Sequence, residues 1–401
     1  MKFAHLADVH LGGWREPKLR ELNTQSFVYA VDKCISEKVD FVLIAGDLFN
    51  TALPSMDALR ICVQKLKELK DQNISAYLIP GSHDFSPSGK TMIDILEHAG
   101  LAVNVAKEDT VDGRLRLGFV SDPRTGAKIT GIFGKKGGLE KHYYEKLNKE
   151  SLQSEQGTKI FLFHSAIAEL MPPSLSSVDA VPVSSMPRGF AYYAGGHIHI
   201  VSEKFVDGYG MFVYPGPVFP NSFSELEELG CGSFVIYENG KVRHEKILLH
   251  PVVSISVDAK DKTAAEVEKE IQNRLNMADV KNAIVLIRAG GELRQGKPGD
   301  INFGALIDSC MLKGAHIVQK NTYSLGSREF EEIKVSKGTV DEIEESIIAK
   351  HAGQLKIMPK EKEEALAKEL MRILSAEKDE GEKVADFEKR ISQDVDKLLG
   401  I

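Results

Sequence analysis

Phe41-Val42-Leu43-Ile44-Ala45-Gly46-Asp47-Leu48-Phe49 runs a short, wholly apolar segment straight into a Gly-Asp pair. An apolar run of that length, rich in β-branched and aromatic residues, reads as a buried strand. The carboxylate that follows lies at the strand's carboxyl end, where open α/β sheets build their sites. The same arrangement recurs four times. Ala7-Asp8-Val9-His10 closes the run that starts at Phe3, and Pro80-Gly81-Ser82-His83-Asp84 follows Ala76 to Ile79. His164 ends Lys159 to Phe163, and Gly195-Gly196-His197-Ile198-His199 follows Ala191 to Ala194.

Each fragment contributes a hard oxygen or imidazole ligand. Asp8 with His10, and His197 with His199, are spaced by two, which on an extended strand directs both side chains to one face. Asp47 sits where Gly46 allows close backbone approach and is read as a carboxylate that bridges two ions. A donor set of oxygen and nitrogen without thiolate favours manganese, iron or zinc over magnesium or calcium. Two such ions about 4 Å apart polarise a phosphoryl group and lower the pKa of a bound water, the route to phosphodiester hydrolysis. A single histidine after a strand, such as His164, is more often a core residue. Five fragments in this order point instead to one site.

Composition is consistent with this reading without identifying it. The chain has 401 residues, is 42% hydrophobic and 27% charged, and suits a protein with a large core and two or three structural units. Cys34, Cys62, Cys231 and Cys310 are far apart, so they suggest neither a disulfide framework nor a zinc knuckle, and a reducing cytoplasm is expected. The first residues are too polar for a signal peptide, and no apolar run is long enough for a membrane span. The net charge of −7 offers no global attraction to polyanions, so any nucleic-acid contact must be a local basic patch or act through metal. Candidates are Arg15, Lys18 and Arg20 after the first fragment, Lys90 after the third, and Lys135 and Lys136. Trp14, the only tryptophan, is placed to stack on a base or sugar.

Three stretches follow from the patterning. Residues 1–245 alternate strand-like and helix-like segments and read as a layered α/β domain. Within it, Ser55 to Lys70 carries Leu59, Cys62, Val63, Leu66 and Leu69 at helical spacing, and Thr91 to His98 carries Met92, Ile95 and Leu96. Both helices are expected to cover the sheet, or to lend part of their stripes, Leu66 included, to a homodimer interface. Gly232 to Gly240 reads as a strand and Asn-Gly turn closing this domain. Residues 246–345 form a smaller module with strands Val252 to Val257, Ile284 to Arg288 and His316 to Gln319. Its helices are Thr263 to Leu275, opening on a Thr263/Glu266 capping box, and Phe303 to Met311. Residues 346–401 are a linker and two charged amphipathic helices broken near Gly381. One carries Leu366, Leu370 and Leu374, the other Val384, Phe387, Ile391, Val395 and Leu398. Their narrow apolar stripes suit a partner helix or coiled coil.

The five fragments resemble the motifs of the calcineurin-like metallophosphoesterase superfamily: Asp-x-His, Gly-Asp, Gly-Asn-His-Asp/Glu, a lone His and Gly-His-x-His. Ala7 to Gly12 and Gly46 to Phe49 are similar to the nuclease subunit of the double-strand-break repair complex, the SbcD or Mre eleven family, in its archaeal form. The resemblance implies a phosphoesterase β-sandwich flanked by helices, a small α/β cap, and C-terminal helices. Those helices, with Leu366, Leu370, Leu374, Phe387 and Ile391, would hold an SMC-like ATPase of the Rad fifty or SbcC type. It implies a homodimer that acts on DNA ends in the cytoplasm, on the nucleoid. Its activities would be manganese-dependent single-strand endonuclease and 3'-5' double-strand exonuclease.

By position, Asp8, His10, Asp47 and His199 would hold one manganese, and Asp47, His164 and His197 the second. His83 would stabilise the transition state or protonate the leaving oxygen, and Asp84 would orient a neighbour. Two positions depart from the family pattern. Ser82 replaces an asparagine ligand of the second metal with a shorter, poorer donor, leaving room for a water. Asn50 stands where many members carry a histidine that places the scissile nucleotide, which weights the expectation toward endonuclease action. The alternatives are a stand-alone phosphodiesterase for a small substrate and a weakly active scaffold that bridges DNA ends.

Overall fold

The computed structural model describes residues 1–85, 91–134, 140–175, 178–328, 348, 360–376, 378 and 384–399. It divides into two units, Met1–Ser327 and Arg328–Ile401, each taken here by itself.

Two six-stranded sheets form the body of the first unit. One runs Lys241–Ile247, Gly232–Glu238, Lys2–Leu6, Phe41–Ala45, Ser75–Ile79, Val103–Asn104. The other runs Val201–Val206, Gly210–Pro215, Tyr192–Gly196, Lys159–His164, Lys128–Ile132, Val120–Ser121. The central strands of each are parallel, so the ends that carry the motifs share one edge of each sheet. Buried on both faces, these strands are predominantly apolar, as parallel sheets require. Phe3, Phe41, Leu43 and Tyr77 meet Ile160, Leu162, Tyr192 and Val213 in the core between the sheets. The Phe3 ring stacks on Phe41 at 5.0 Å and on Tyr237 at 4.6 Å, and meets Tyr192 edge-on. Val42 and Ile44, one residue out of phase, face helices Pro17–Ser36 and Met56–Asp71 instead.

The closing hairpin is present. Gly232–Glu238 pairs antiparallel with Lys241–Ile247, and Asn239 (φ 49°) and Gly240 (φ 88°) both take the left-handed backbone that a two-residue turn of this hand needs. Serine 55 caps its helix and Thr91 forms a capping box with Asp94.

Two details of the helix stripes differ from the sequence reading. Val63 is 36% exposed, and in the second helix Ile93 and Leu96 are buried while Ile95 is 55% exposed. A seven-residue helix buries only the pair one turn apart, and that pair is Ile93/Leu96. Leu66 is wholly buried within its own chain, in the core beneath the first sheet, and so is not available to an interface between copies.

A third, parallel sheet follows in the order Val252–Asp258, Ile284–Leu293, Ile317–Asn321, with Leu325–Ser327 added beside the end of Ile284–Leu293. Helices Ala264–Met277, which starts with the Thr263/Glu266 capping box, and Phe303–Leu312 cover one face. Alternation divides the central strand. Val285 and Ile287 face those helices, whereas Ile284 and Leu286 join Leu19, Leu22, Phe219 and Leu226 of the first two layers in a separate small core. In the second unit, helices Lys360–Leu374 and Val384–Leu399 touch each other. Leu366, Leu370, Phe387, Ile391, Val395 and Leu398 are half-buried there and Leu374 is exposed. Gly381 lies outside the described residues.

Because Leu66 fills the core between its helix and the first sheet, Leu66→Ala should lower unfolding stability by about 3 kcal/mol. The loss would be read as an earlier urea midpoint and would not depend on protein concentration.

Candidate metal centre

The strand Lys2–Leu6 stops before Asp8, and Tyr192–Gly196 stops before His197. The two-residue spacing therefore does not act as a strand repeat. Asp8 (φ 49°), His10 (φ 45°), Asp47 (φ 49°), His197 (φ 98°) and His199 (φ 50°) all have left-handed backbone, which re-aims each side chain after the strand has ended. Non-glycine residues in that region are strained by about 1–3 kcal/mol each and persist where the surroundings over-determine them. Here the two loops are laced together: Asp8 N donates to Gly46 O, His10 N to Asp47 O at 2.9 Å, and Leu11 N to Leu48 O.

Asp84 completes the lacing. Its buried carboxylate accepts from Leu48 N, Phe49 N and Gly81 N, at 3.2, 3.0 and 2.9 Å. Glycines leave the space. A Cβ on Gly46 would stand 2.2 Å from His164 Nδ1, and one on Gly81 would meet Asp47 N and Oδ1 at the same distance.

The loops bring most of the predicted ligands together. Ligand atoms of Asp8, His10 and His199, of Asp8, Asp47 and His164, and of His10, Asp47 and His83 each lie within 4.8 Å of one another. His164 Nε2 is 3.2 Å from Asp47 Oδ2, His10 Nε2 3.7 Å from the same oxygen, and His199 Nε2 3.6 Å from Asp8 Oδ1. Three of the far ring nitrogens are occupied, while His10 Nδ1 is buried without a hydrogen-bond partner. His164 Nδ1 donates to Ala45 O, His83 Nδ1 to Asn50 O, and His199 Nδ1 to Glu225 Oε2. Each of these three imidazoles thus has Nδ1 held from outside and turns Nε2 inward, the arrangement of metal-binding histidines. His83 N also donates to Asp47 Oδ1 at 2.7 Å.

His197 stands apart. Its ring packs against His164, with centroids 5.1 Å apart, and its main-chain N–H donates to both Asp8 oxygens, but its ring nitrogens join none of the close groups. Ser82 is buried and lines the same cavity, of 1160 Å³, with His10, Asp47, His83, His197 and His199.

Electrostatics reflects a cluster built for cations. Burial opposes ionisation of Asp47, yet the His164 and His10 rings and the His83 N–H hold its carboxyl well below the usual range. Burial would lower His164, but Asp47 and Asp8 raise it to about 10. In the same way Asp8 and Glu225 overcome burial to raise His199 to about 8. Burial keeps His10 near 3 and His197 near 4, both neutral at pH 7. Burial and the charge of Asp47 push Asp84 up to about 7. The donor set fits divalent ions. His164 Nε2 is buried facing Asp47 Oδ2 at 3.2 Å, and His10 Nε2 and His199 Nε2 face each other at 3.1 Å beside the Asp47 and Asp8 carboxylates.

Glu225, absent from the sequence reading, orients His199. It lies on helix Phe223–Leu229, and Oε2 also accepts from Asn221 N. The Ser222-x-x-Glu225 spacing marks a helix start, which was its only trace in the sequence. Asn221 Nδ2 in turn donates to Asn50 Oδ1.

Of the candidate DNA-contacting residues, Trp14, Arg15, Arg20 and Asn50 line one open cleft with Asn221 and Gln319. Trp14 does not stand free to stack: its indole N–H donates to Pro220 O, and its ring packs beside the small core of Leu19, Leu22 and Phe219. Arg20 donates to Trp14 O and Arg15 O, and Lys18 to His316 O. Arg15 is exposed. Lys90, Lys135 and Lys136 lie outside the described residues.

The sequence model of the calcineurin-like phosphoesterases matches residues 1–201 of this chain, and the chain belongs to that family. Among curated proteins it is similar to three archaeal proteins named DNA double-strand break repair protein Mre11. That of Methanococcus maripaludis is 32% identical over 240 residues, covering 57% of this chain and 60% of that protein. That of Archaeoglobus fulgidus is 26% identical over 314 residues, covering 71% and 67%. That of Methanocaldococcus jannaschii is 29% identical over 332 residues, covering 79% and 83%. The chain thus matches about three fifths of the first of these proteins. No described helix is long and apolar enough to cross a membrane.

The family's two divalent ions fit this donor set, and the titration of the ligands sets how binding depends on pH. With His164 near 10 and His199 near 8, both rings hold a proton at pH 6 to 7.5 that an incoming cation must displace. Divalent-ion affinity should therefore rise by about tenfold per pH unit for each site across that window. Calorimetry in buffers of different ionisation enthalpy would register the proton release; pH-independent binding would contradict it.

Proposed function

We propose that this calcineurin-like phosphoesterase is a two-metal, manganese-dependent DNA nuclease that acts at double-strand breaks with an SMC-like ATPase. The observation that carries the reading is the inward convergence of Asp8, His10, Asp47, His164 and His199, with each far nitrogen of His164 and His199 already bonded. Its occurrence in a chain similar to archaeal proteins named for double-strand break repair directs that chemistry to DNA. Asp8, His10 and His199 would hold one ion, His164 and His197 the other, with Asp47 between them and Ser82 or a water completing the second. When bound, the two ions supply Lewis-acid activation of the phosphoryl group and of a water.

The chain's own residues do the rest. His83 has Nδ1 fixed on Asn50 O, leaving Nε2 to meet the phosphoryl oxygens or pass a proton to the departing oxygen. Asp84 keeps the loop of His83 against that of Asp47. Asn50, bonded to Asn221, would border the scissile nucleotide without the imidazole that many relatives carry, so single-strand endonuclease action is expected to exceed 3'-5' exonuclease action.

For partners, the half-buried stripes of the two C-terminal helices suit the coiled coil of a Rad fifty type ATPase. The exposed Val63 and Ile95, with Met56 at 78% exposed, suit a homodimer contact. Lys204 lines the metal cavity, and Arg15 and Arg20 line the cleft that shares Asn221 with it, so these are the described cations offered to phosphate.

The test is cleavage of end-labelled single-stranded and duplex DNA with manganese. Asp47→Ala should abolish cleavage, a loss of at least about a thousandfold, and Ser82→Asn should match or exceed the native chain. If the native chain and Ser82→Asn both spare DNA but hydrolyse a chromogenic phosphodiester, the 1160 Å³ cavity serves a small substrate instead. If neither substrate is cleaved, a scaffold role would replace both readings. Deleting residues 360–401 should abolish ATPase co-purification and leave cleavage of single-stranded DNA intact, and Ile95→Lys should halve the mass in light scattering.

A further inference from the structure

Helix Phe223–Leu229 is bonded both to His199 and to the third sheet, and each of its faces is claimed by one of them. Residues two apart on a helix point about 200° apart, so Glu225 and Glu227 look in nearly opposite directions. Glu225 accepts from His199 Nδ1 at 2.9 Å, from Asn221 N at 2.8 Å, and from Ser222 Oγ. Glu227 is held at both oxygens by the third sheet: Arg288 Nε donates to Oε2 at 2.8 Å, and Ser254 Oγ to Oε1 at 3.0 Å. Arg288 further donates to Ser224 Oγ at 3.2 Å, and its guanidinium lies 5.0 Å from the centre of the Phe223 ring. Between the two faces Leu226 is wholly buried among Leu19, Leu22, Phe219, Ile284 and Leu286.

A helix of seven residues is too short to hold itself, so its position is whatever these contacts dictate. Arg288 contributes the most of them: it touches three consecutive-face residues, Phe223, Ser224 and Glu227, by stacking, hydrogen bond and ion pair. None of these bonds is required for the third sheet's own core, which lies on its other face with Val285 and Ile287.

The geometry points to Arg288 as a positioning residue for the metal centre: through Glu227 it sets the helix that holds Glu225 against His199. The inference rests on the metal-site reading above, and a readout in metal-free protein keeps the two separable. Partners that orient a ligating histidine typically alter metal affinity by about 10- to 100-fold, and a residue one link further out is expected to sit at the lower end.

The experiment compares the native full chain with Arg288→Ala, Arg288→Lys and Glu227→Gln, with Glu225→Gln as the reference for a freed His199. In metal-free protein, nitrogen-labelled histidine spectra report the His199 Nδ1–H bonded to Glu225. Calorimetry with Mn2+ alone then reports the affinity of each site. Arg288→Ala and Glu227→Gln are expected to move the His199 signal toward that of Glu225→Gln and to weaken one of two Mn2+ sites by about tenfold, leaving the other unchanged. Arg288→Lys should recover part of both effects. Should Arg288→Ala fail to fold, Glu227→Gln carries the test, since it keeps the side chain's size and removes only the charge that Arg288 grips. An unchanged His199 signal and unchanged Mn2+ affinity in either folded variant would overturn the inference. Native protein that binds no Mn2+ would overturn the metal-site reading, while the metal-free spectra would still decide the role of Arg288.

Discussion

The arrangement depends on one buried carboxylate, Asp84, that lies outside the close groups of candidate ligand atoms. Asp84 gathers three main-chain N–H groups from the loops after the second and third strands, so the loop of Asp47 cannot shift without breaking buried hydrogen bonds. Its neighbour Asp47 is less than a loop away, and the repulsion between the two, with burial, pushes Asp84 up to about 7. Two carboxylates in so small a volume are tolerated because imidazoles and N–H dipoles surround them, and a cation between the ligands would relieve the remaining repulsion. Burial and hydrogen bonding here act on function by fixing where the negative charge must stand.

The strained backbone follows from that constraint. A ligand on a continuing strand would point along the sheet normal, into the core between the two sheets or toward the helices. Left-handed residues shortly after the strand end turn side chains over the sheet edge instead, and five candidate ligands on two sheets take that backbone. Asparagine and aspartate accept this conformation readily, histidine less so, and the N–H···O lacing between the first two loops supplies the compensation. Rigid sheets, short loops and outward-bonded imidazoles together hold the donors in place before any cation arrives.

The third sheet stands in a similar relation to the site. It adds no ligand, yet its central strand sends Ile284 and Leu286 into a core shared with Leu19 and Leu226, and Arg288 from the same face onto the helix of Glu225. A module that looks like a separate cap in sequence therefore shares packing with the layer that carries the first and last motifs. Its influence on chemistry runs through a short helix and not through contact with the ligands.

Much of this was legible in the residues themselves. Continuous apolar runs identified the strands that carry the motifs, period-3.6 patterns several of the helices, and an Asn-Gly pair the closing turn, whereas helix Pro17–Ser36 and the parallel strands Lys128–Ile132 and Gly210–Pro215 were not among them. The placement of Asp8, Asp47, His83, His164 and His199 at strand ends identified the chemistry, because ligands are few, polar and conspicuous against apolar runs. Tertiary structure alone decided how those ligands converge. Asp8 and His10 meet a common centre through left-handed turns and not through strand alternation, a difference that one-dimensional spacing cannot register. It alone assigned Leu66 to the core, Ile95 to the surface and Trp14 to packing, since burial depends on what the opposite layer offers. Glu225 and Arg288 were invisible for the same reason: each is an ordinary charged residue until folding sets it beside a partner 26 or 61 positions away. Local sequence carries propensity and pattern, whereas the tautomer of a histidine and the grip on a helix are set by contacts between distant segments.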